Sequence, residues 1–460
     1  MTQAVMDYTP PSPSLTRLAI TGSAWTILGY GTSQFLRLAG NIILSRLLFP
    51  EAFGLMALVT AFLVGLDMFS DLGIAQSVIR SPDGDQPSFL NTAWTLQILR
   101  GAALWVGSCA LAFPASHFYS QPELAHLLPI VGLTALIAGF NSTSLYALNR
   151  SMSFRTLTFI DLSTQITSLT VMVLYALFIQ RSVWALAVGS ITASILRLTI
   201  SHFIIRNPHR PRIHWNRPAA RELFSFGQWI FLSTLLTFVG SNADRFIFGK
   251  LGSISWLGMY SIALALAMLP AAVILKIGSS VTFPAYSRIF ARSGDLSSAF
   301  RRSRLPLLLV GGLMTSCLLV AGPATISLLY DQRYHDAGLL LQLLAINVWF
   351  QILECTNGAL LLAIGKSATV AAGNIAKLAC MCITIPLGFH LLGIKGAILG
   401  FCLADIGRYL VLALSVRRQG LSCLSMDFLL TLLVAAITLL SLTTLHYLPP
   451  HLPYDRVTRF

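Results

Sequence analysis

The chain has 460 residues, enough for about three soluble domains, but its composition excludes such an organisation. Hydrophobic residues make up 55% of the sequence and charged residues only 10%, whereas a soluble domain has about 25% charged residues. The net charge of +14 does not indicate a nucleic-acid partner, because the basic residues fall mostly in connectors between apolar runs. We therefore predict an all-α integral membrane protein.

Apolar windows in chain order predict about thirteen transmembrane helices, each long enough for the roughly 20 residues that span a bilayer. The windows lie near residues 18–44, 54–78, 89–113, 124–147, 156–179, 183–205, 226–248, 255–282, 305–330, 338–363, 368–390, 394–416 and 426–447. The residues before the first window are polar and rich in proline, and they lack the pattern of a secretory signal. We expect them to form a cytosolic tail.

The orientation follows from the connectors, because short loops rich in Lys and Arg are retained in the cytosol. With a cytosolic N-terminus, the cytosolic connectors hold more than twice as many Lys and Arg residues as the opposite side. The expected segments are a cytosolic tail at 1–17, a six-helix bundle at 18–205, a basic cytosolic linker at 206–221, a second six-helix bundle at 222–418, and an additional helix and tail at 424–460.

An internal repeat relates the two predicted bundles. Trp25, Arg46, Leu47 and Gly54 recur as Trp229, Lys250, Leu251 and Gly258, all at one offset of 204 residues. Six predicted spans separate the copies, so both halves enter the membrane in the same direction and a central cavity between them is expected. The charges of the linker RNPHRPRIHWNRPAAR suit a topological role, and the alternative is that they also hold anionic lipid.

The sequence motifs do not indicate an enzyme. The sequence has no C-x-x-C pair, no histidine spacing that suits a metal, no phosphate-binding glycine loop and no nucleophile elbow. The seven cysteines lie in or next to apolar runs, where packing is the simplest role. We expect a protein that is not an enzyme and uses no cofactor and no metal.

Several motifs together resemble a known family. The segments GSAWTILGYGTSQFLRLAGNIILSRLLFPEAFGLMAL and DLGIAQSVIR, followed by NTAWTLQILRGAALW, FNSTSLYALNRSMSFR and NADRFIFGKLGSISWLGMYSIALALAMLP, resemble polysaccharide-exporting oligosaccharide flippases. These belong to the multidrug/oligosaccharidyl-lipid/polysaccharide exporter superfamily. The resemblance covers roughly residues 18–290 and implies two six-helix bundles around a central cavity, with twelve to fourteen spans in all.

The resemblance also implies a substrate and a setting. The cargo would be a polyprenyl-diphosphate-linked glycan, carried across the bacterial cytoplasmic membrane for lipopolysaccharide or exopolysaccharide synthesis. Membrane lipid, a polysaccharide polymerase and the chain-length machinery are the further partners implied. Two rivals stay open at this point: a cation-coupled multidrug exporter of the same superfamily, and a membrane glycosyltransferase or polymerase, which typically carries a larger extramembrane loop than the sequence predicts here.

Cations inside the predicted spans indicate where an anionic cargo would bind. Each costs about 2.5–3.5 kcal/mol at a helix centre unless it snorkels, pairs with an acid or faces a wet cavity. The seven are Arg37, Arg100, Arg197, Arg245, Lys276, Lys377 and Arg408.

Helical spacing selects among these cations. Arg37 forms one polar stripe with Gln34 and Asn41, for which a structural contact with a neighbouring helix is the alternative, and Gln97 lies one turn before Arg100. Arg245 suits an interfacial ion pair with Asp244 equally well. The predicted substrate-binding cations are Arg37, Arg100, Arg245, Lys276 and Lys377, with Gln34, Asn41 and Gln97 as supporting polar groups.

The acids in the predicted spans are fewer than the cations. We expect Asp405 and Arg408, spaced i and i+3, to pair with each other. The interior then keeps a net positive charge, which suits a diphosphate because Arg binds phosphate oxygens bidentately. Asp71 or Glu354 would be the acid that couples transport to protons or another cation, and an equally simple account has the membrane potential act alone.

Overall fold

The computed structural model describes residues 15–70, 86–150, 153–204, 212–218, 242–291, 295–421 and 423–447, together with positions 73, 74, 77, 78, 81 and 238. Every regular element in these residues is helical, as the composition predicts. We call α1 to α7 the N-terminal half and α8 to α14 the C-terminal half.

The N-terminal half consists of long helices with one short helix among them. They are α1 (Leu15–Leu47), α2 (Pro50–Phe69), α3 (Pro87–Tyr119), α4 (Leu124–Gly139), α5 (Ser144–Arg150), α6 (Phe154–Phe178) and α7 (Trp184–Thr199), which continues as a π-helix at Ile200–Ile204. Proline at the first position of α2 and α3 favours helix initiation there, because its missing N–H would have no partner in the first turn.

The C-terminal half also consists mainly of long helices. Its helices are α8 (242–251), α9 (Ile254–Ile277) with a π-helix at Gly278–Thr282, α10 (Phe283–Ala291), α11 (Leu296–Leu329), α12 (Ala337–Ala363), α13 (Ser367–Arg418) and α14 (Leu424–Tyr447). Ser253 and Asp295 cap α9 and α11 by accepting the backbone N–H groups of Trp256 and Ser298. These caps fix where two long apolar helices begin.

The helices agree well with the predicted spans. Nine described helices are long and apolar enough to cross a membrane, and the shorter α4 is also apolar. The windows 368–390 and 394–416 both fall in α13, which bends sharply at Leu392 and Gly393, where the glycine has φ +62°. The window 226–248 lies largely outside the described residues. The number thirteen therefore stays a prediction.

Contacts at the two ends of α3 define two ends of the molecule, because residues 212–216 bond to its first turns and its last residue, Tyr119, bonds to Phe246 of α8. We call the end that holds residues 212–218 the linker end and the end that holds residues 48–54 and 254–258 the far end. The largest buried cluster of apolar side chains draws on both halves, with α9 packed against α2 on one side and α12 on the other. Helix α14 packs against α11, so the additional helix belongs to the C-terminal half.

Candidate functional site

A polar stripe on α1 is the first component of the candidate site. Gln34 donates from Nε2 to the hydroxyl of Tyr30 at 3.0 Å, and Arg37 lies exposed one turn further along the helix. Asn41 follows at the next turn, half-buried. At 100° per residue these four side chains share one face of the helix.

Helix α6 packs against a different face of α1 from the one that carries the stripe. Gly29 and Gly40 lie in close contact with Thr158 and Leu169 of α6, and the Ser33 hydroxyl donates to Gln165 Oε1 at 2.7 Å. Helical geometry places the stripe about a quarter turn away from this packed face. Contact with α6 therefore leaves the polar stripe uncovered by that helix.

Lys276 brings the C-terminal half to the stripe. Its ammonium lies 5.6 Å from the ring centroid of Tyr30, within the range of a cation–π contact. Lys276 is half-buried and lies near the end of α9, so the contact joins α9 to α1 across the boundary between the halves. Of the predicted cations, Arg37 thus lies on the stripe and Lys276 contacts the stripe through Tyr30.

Two other predicted residues are not joined to the stripe by the structure. Arg245 is half-buried on α8, and its neighbour Asp244 accepts a 2.6 Å hydrogen bond from the Tyr260 hydroxyl rather than pairing with Arg245. Asp71 lies outside the described residues. Among described residues, Arg37, Arg245 and Lys276 have no carboxylate partner, so their positive charges are uncompensated.

Arg100 and Gln97 line a different cavity, inside the N-terminal half. Arg100 pairs with Asp67 at 2.7 Å and also donates to the Ser70 carbonyl, and Arg197 pairs with Asp161 at 2.8 Å. The cavity has a volume of about 400 Å³ and its polar wall includes both ion pairs.

Gln97 anchors helix ends rather than facing open space. Its Nε2 donates to the carbonyls of Ala138, Gly139 and Asn141, while its Oε1 accepts from the Tyr146 hydroxyl. These bonds satisfy the last carbonyls of α4, which have no partner within that helix. The geometry thus gives Gln97 a structural role, and it is separate from the stripe on α1.

Lys377, the fifth predicted cation, is buried and paired with Asp405. Asp405 also accepts a 3.2 Å hydrogen bond from Gln351, and Arg408 pairs with Glu354 at 2.6 Å. The predicted pair of Asp405 with Arg408 is therefore wrong. Lys377, which precedes the bend of α13, and Glu354 of α12 are the partners instead, and the charge of Lys377 is neutralised inside the half.

Arg304 is a buried cation that the sequence reasoning missed. It is only 1% exposed and pairs with Asp427 of α14 at 3.1 Å, while its Nε donates to the Thr356 hydroxyl. The Tyr409 hydroxyl donates to the same Asp427 at 2.8 Å. Helix α14 is thus fixed to the C-terminal half by a buried ion pair. No local pattern in the sequence indicates this pairing.

The halves meet at the far end through two glycines. A Cβ atom on Gly54 would overlap the carbonyl of Ile254, and a Cβ atom on Gly258 would overlap the carbonyl of Pro50. The offset of 204 residues that relates Gly54 to Gly258 also relates Pro50 to Ile254, so the contact is reciprocal. We call it the glycine contact. Only glycine permits this approach of α2 and α9.

Tyrosines at the same end add hydrogen bonds between the halves. The Tyr334 hydroxyl donates to the Leu48 carbonyl at 3.0 Å, and the Tyr119 hydroxyl donates to the Phe246 carbonyl at 3.3 Å. Burial raises the pKa of Tyr334 above its ordinary value, so the hydroxyl stays a donor. In each case the donor and the acceptor belong to different halves.

Arg333 completes the far end. It donates to the Arg46 carbonyl at 3.1 Å and to Asp331 at 2.7 Å, and the hydrogen bond to Asp331 lowers the pKa of that carboxyl below its ordinary value.

The described residues contain no group of three or more His, Cys, Asp or Glu side chains that would hold a metal ion. What this arrangement can do is attract an anion to Arg37 and Lys276 while the far end is closed.

Comparisons with known proteins fit this geometry. The model of a family described as polysaccharide biosynthesis protein matches residues 43–307. The lipopolysaccharide biosynthesis protein WzxC of Escherichia coli is 23% identical over 401 residues, which cover 85% of this chain and 80% of that protein.

Two solved structures have similar folds. The lipid II flippase MurJ in its inward closed conformation has a TM-score of 0.69 at 16% identity, covering 94% of this chain and 95% of that chain. The inward-facing conformation of a multidrug resistance transporter of the MATE family has a TM-score of 0.70 at 14% identity, covering 84% and 94%. At these identities the likenesses establish the all-helical transporter fold.

Proposed function

The chain belongs to the polysaccharide biosynthesis protein family, and from this premise we propose that it is a flippase for a polyprenyl-diphosphate-linked oligosaccharide. It moves the repeat unit across the bacterial cytoplasmic membrane for cell-surface or exopolysaccharide synthesis. Relatives whose names refer to lipopolysaccharide biosynthesis and to lipid II flipping support this cargo class. Transport of this kind breaks no covalent bond, so the protein is not an enzyme.

The observation that carries the proposal is the pair of uncompensated cations, Arg37 and Lys276. Lys276 contacts Tyr30 from the C-terminal half, Arg37 lies on the same stripe of α1 as Tyr30, and neither cation has a carboxylate partner among the described residues. A diphosphate bears at least two negative charges, which a guanidinium and an ammonium can bind together where lipid and protein lower the dielectric constant. Arg245 would add a third cation if the cargo moves along α8.

The transport cycle we propose uses the two ends in turn. With the linker end in the cytosol, the glycine contact closes the far end while the cationic region receives the diphosphate. Rocking of the halves then separates α2 from α9 and exposes the glycan outside, while the lipid tail stays in the bilayer. The reciprocal contact supports a parallel repeat of two six-helix bundles, at 18–205 and 222–418.

The topology is part of the same proposal. The N-terminus and the basic linker 206–221 are cytosolic, because basic loops are retained on that side. Thirteen spans then place the C-terminus outside. Reporter fusions after residue 218 and after residue 447 test this, since we expect activity of a cytosolic reporter at the first position and of a periplasmic reporter at the second. The reverse result would overturn the orientation.

Coupling to an ion gradient involves Glu354 or Asp71 in one version of this proposal and only the membrane potential in the other. Glu354 is buried against Arg408, where protonation would release that guanidinium. Proteoliposomes with an imposed pH gradient and no potential distinguish the versions. Transport that depends on the pH gradient and is lost in Glu354→Gln supports the acid.

The function is tested by deleting the gene and locating the lipid-linked repeat units. We expect these units to accumulate on the cytosolic leaflet and the surface glycan to disappear. A chain-length regulator and a polymerase, the partners we propose, should act only on units that the flippase has delivered. Unchanged surface glycan in the deletion strain would contradict the proposed flippase function.

The site is tested by Arg37→Ala, which should abolish export at a normal protein level because the diphosphate loses its guanidinium. Lys395→Ala is the matched control, since this exposed cation lies two residues after the bend of α13, on a different helix from the stripe. If Arg37→Ala and Arg37→Lys both export normally, the role of Arg37 is wrong.

A multidrug exporter is the second candidate, favoured by the likeness of fold to a MATE transporter. Such an exporter of cationic drugs would require acidic groups in its cavity, whereas the uncompensated groups described here are cations. Drug resistance that rises with expression of the chain, together with unaltered glycan, would favour this candidate.

A further inference from the structure

The linker between the halves is fixed to α3 rather than free. Backbone N–H groups of the alternate residues Arg212, His214 and Asn216 donate to side chains of α3, at 3.0, 3.1 and 3.1 Å. The acceptors are Asn91 Oδ1, Thr95 Oγ1 and Thr92 Oγ1. We call residues 212–218 the linker strap. Alternating bonds of this kind hold an extended chain along the helix.

The level of the linker strap follows from the length of α3. This helix has 33 residues and runs to the far end at Tyr119, so about 20 residues counted back from Tyr119 fill the hydrocarbon and reach Arg100. The residues that hold the linker strap precede Arg100 by one to three turns. On this count the linker strap lies at the level of the lipid headgroups, and the span begins near Arg100 rather than at the start of the predicted window 89–113.

The side chains that the linker strap presents suit that level. Ile213 is 77% exposed and Trp215 is 48% exposed, and Arg212 and Arg217 are exposed beside them. Trp is enriched where a membrane meets water, because its ring is apolar and its N–H is polar. The whole linker, 206–221, contains five arginines and no acid.

We propose that the linker strap is a docking site for anionic phospholipid headgroups of the cytosolic leaflet. Arg212 and Arg217 bind the phosphates, Trp215 lies among the headgroups and Ile213 reaches the upper acyl chains. The complementarity is one of charge, because the cytosolic leaflet is anionic and attracts clustered basic residues. The inference rests on the proposed orientation of the flippase, which places the linker in the cytosol.

Two features of the linker strap distinguish it from an ordinary basic loop. Its backbone is held by α3, so Arg212 and Arg217 are presented at a fixed height. The linker strap also belongs to the N-terminal half by contact, although the chain continues into the other half. Anionic lipid bound there would hold the N-terminal half to the leaflet from which the cargo enters.

The experiment measures phosphatidylglycerol binding to the full-length purified protein by native mass spectrometry, with phosphatidylcholine as the competing lipid. R212Q/R217Q should weaken the preferred phosphatidylglycerol site by about 25-fold, since each arginine near an anionic surface contributes about fivefold. R301Q/R302Q is the matched control, because these two arginines are exposed at the same end, on α11. The control should bind as the unmodified chain does.

A second variant, N91A/T95V, removes two side chains that hold the linker strap and changes no charge. It should weaken the same site, because the arginines lose their fixed height. If R212Q/R217Q retains full binding, or if R301Q/R302Q loses as much, the proposal is overturned. If R212Q/R217Q loses polyprenyl diphosphate binding and keeps phosphatidylglycerol binding, the proposal is also overturned, since the linker strap would then bind the cargo.

Failure of this inference and failure of the flippase function have separate signs. Phosphatidylglycerol binding is measured on the purified protein without transport. Its result therefore does not depend on whether the Arg37→Ala variant exports glycan. A reporter fusion that places residue 218 outside the cytosol would remove the anionic leaflet from the linker strap and overturn this inference together with the proposed orientation, while the gene-deletion test of glycan flipping would keep its own outcome.

Discussion

Among the described residues, two ion pairs of the N-terminal half line an open cavity, whereas three of the four ion pairs of the C-terminal half lie between packed helical segments. The side chains of Arg197 and Asp161 are 41% and 57% exposed. Those of Arg304 and Asp427 are 1% and 3% exposed. The two halves therefore differ in how most of their described ion pairs are surrounded.

The difference separates charges that hold the structure from charges that are available to a ligand. Breaking a buried pair by removing one partner leaves an unpaired charge and costs about 3–5 kcal/mol. An exposed pair contributes about 0–1 kcal/mol, because water and ions screen it. Of the seven cations predicted inside spans, four are paired, and Arg37, Arg245 and Lys276 are the ones left to meet an anion.

The largest effect is expected for Asp427→Ala. This change leaves Arg304 buried without its carboxylate and removes the acceptor of the Tyr409 hydroxyl. We expect the free energy of unfolding to fall by about 3–5 kcal/mol, with release of α14 from α11. Thermal unfolding of the purified protein in detergent measures the loss.

The control for Asp427→Ala is Arg304→Met combined with Asp427→Leu and Tyr409→Phe, which removes the charges and the hydroxyl together. An apolar replacement of a buried pair is often neutral or stabilising, so stability should return. If Asp427→Ala unfolds like the unmodified protein, Arg304 is not buried with Asp427 and the contrast between the halves fails.

Gly54→Ala and Gly258→Ala test the place where the halves are alike. In each variant a new Cβ meets a backbone carbonyl of the other half, which a rotamer change cannot relieve. Overpacking of this kind costs about 1–3 kcal/mol. We expect both variants to lose stability by similar amounts and to open the far end, measured as labelling of an introduced far-end cysteine by a membrane-impermeant reagent.

Gly31→Ala is the matched control, because a Cβ at this helical position meets no atom within 4 Å. It should leave labelling unchanged and stabilise α1 slightly, since alanine favours a helix over glycine. Equal behaviour of Gly54→Ala and Gly31→Ala would mean that the glycine contact does not close the far end.

A smaller effect is expected for Tyr334→Phe. The change removes one hydrogen bond to the Leu48 carbonyl and should cost about 0.5–1.5 kcal/mol. Tyr119→Phe should cost less, because its bond to Phe246 is longer, at 3.3 Å. Unfolding midpoints in detergent give both values. A larger loss in Tyr119→Phe would contradict the assigned strengths of these two contacts.

Features that depend on local order were predictable from the sequence. Hydropathy located the helices, and helical spacing grouped Gln34 with Arg37 on one face, because both depend only on neighbouring residues. Arg304 was missed because Arg301 and Arg302 make its segment look like a basic connector, while α11 in fact begins at Leu296.

Pairings between distant residues were not predictable. Asp405 and Arg408 stand three positions apart, yet Lys377 and Glu354 on other turns and helices are their partners. The choice depends on helix packing, to which sequence spacing gives no guide in a protein with many similar helices. The same holds for Arg304 and Asp427, which meet only because α14 packs on α11.

The smallest effect is expected for Asp161→Ala in the N-terminal half. Arg197 loses the carboxylate that pairs with it among the described residues but remains 41% exposed beside the cavity, so water can solvate the guanidinium. We expect the free energy of unfolding to fall by no more than about 1 kcal/mol and the loss to shrink at high salt, as screening predicts. Unfolding midpoints at low and high salt test this.

Asp405→Ala is the counterpart in the C-terminal half, because it also removes one carboxylate from one cation but at a buried site. Its loss should exceed that of Asp161→Ala several-fold and should not depend on salt, since counterions cannot reach Lys377. Equal losses in the two variants, or equal salt dependence, would show that both halves surround their charges alike. The uncompensated cations would then lose their distinction as the charges available to an anionic cargo.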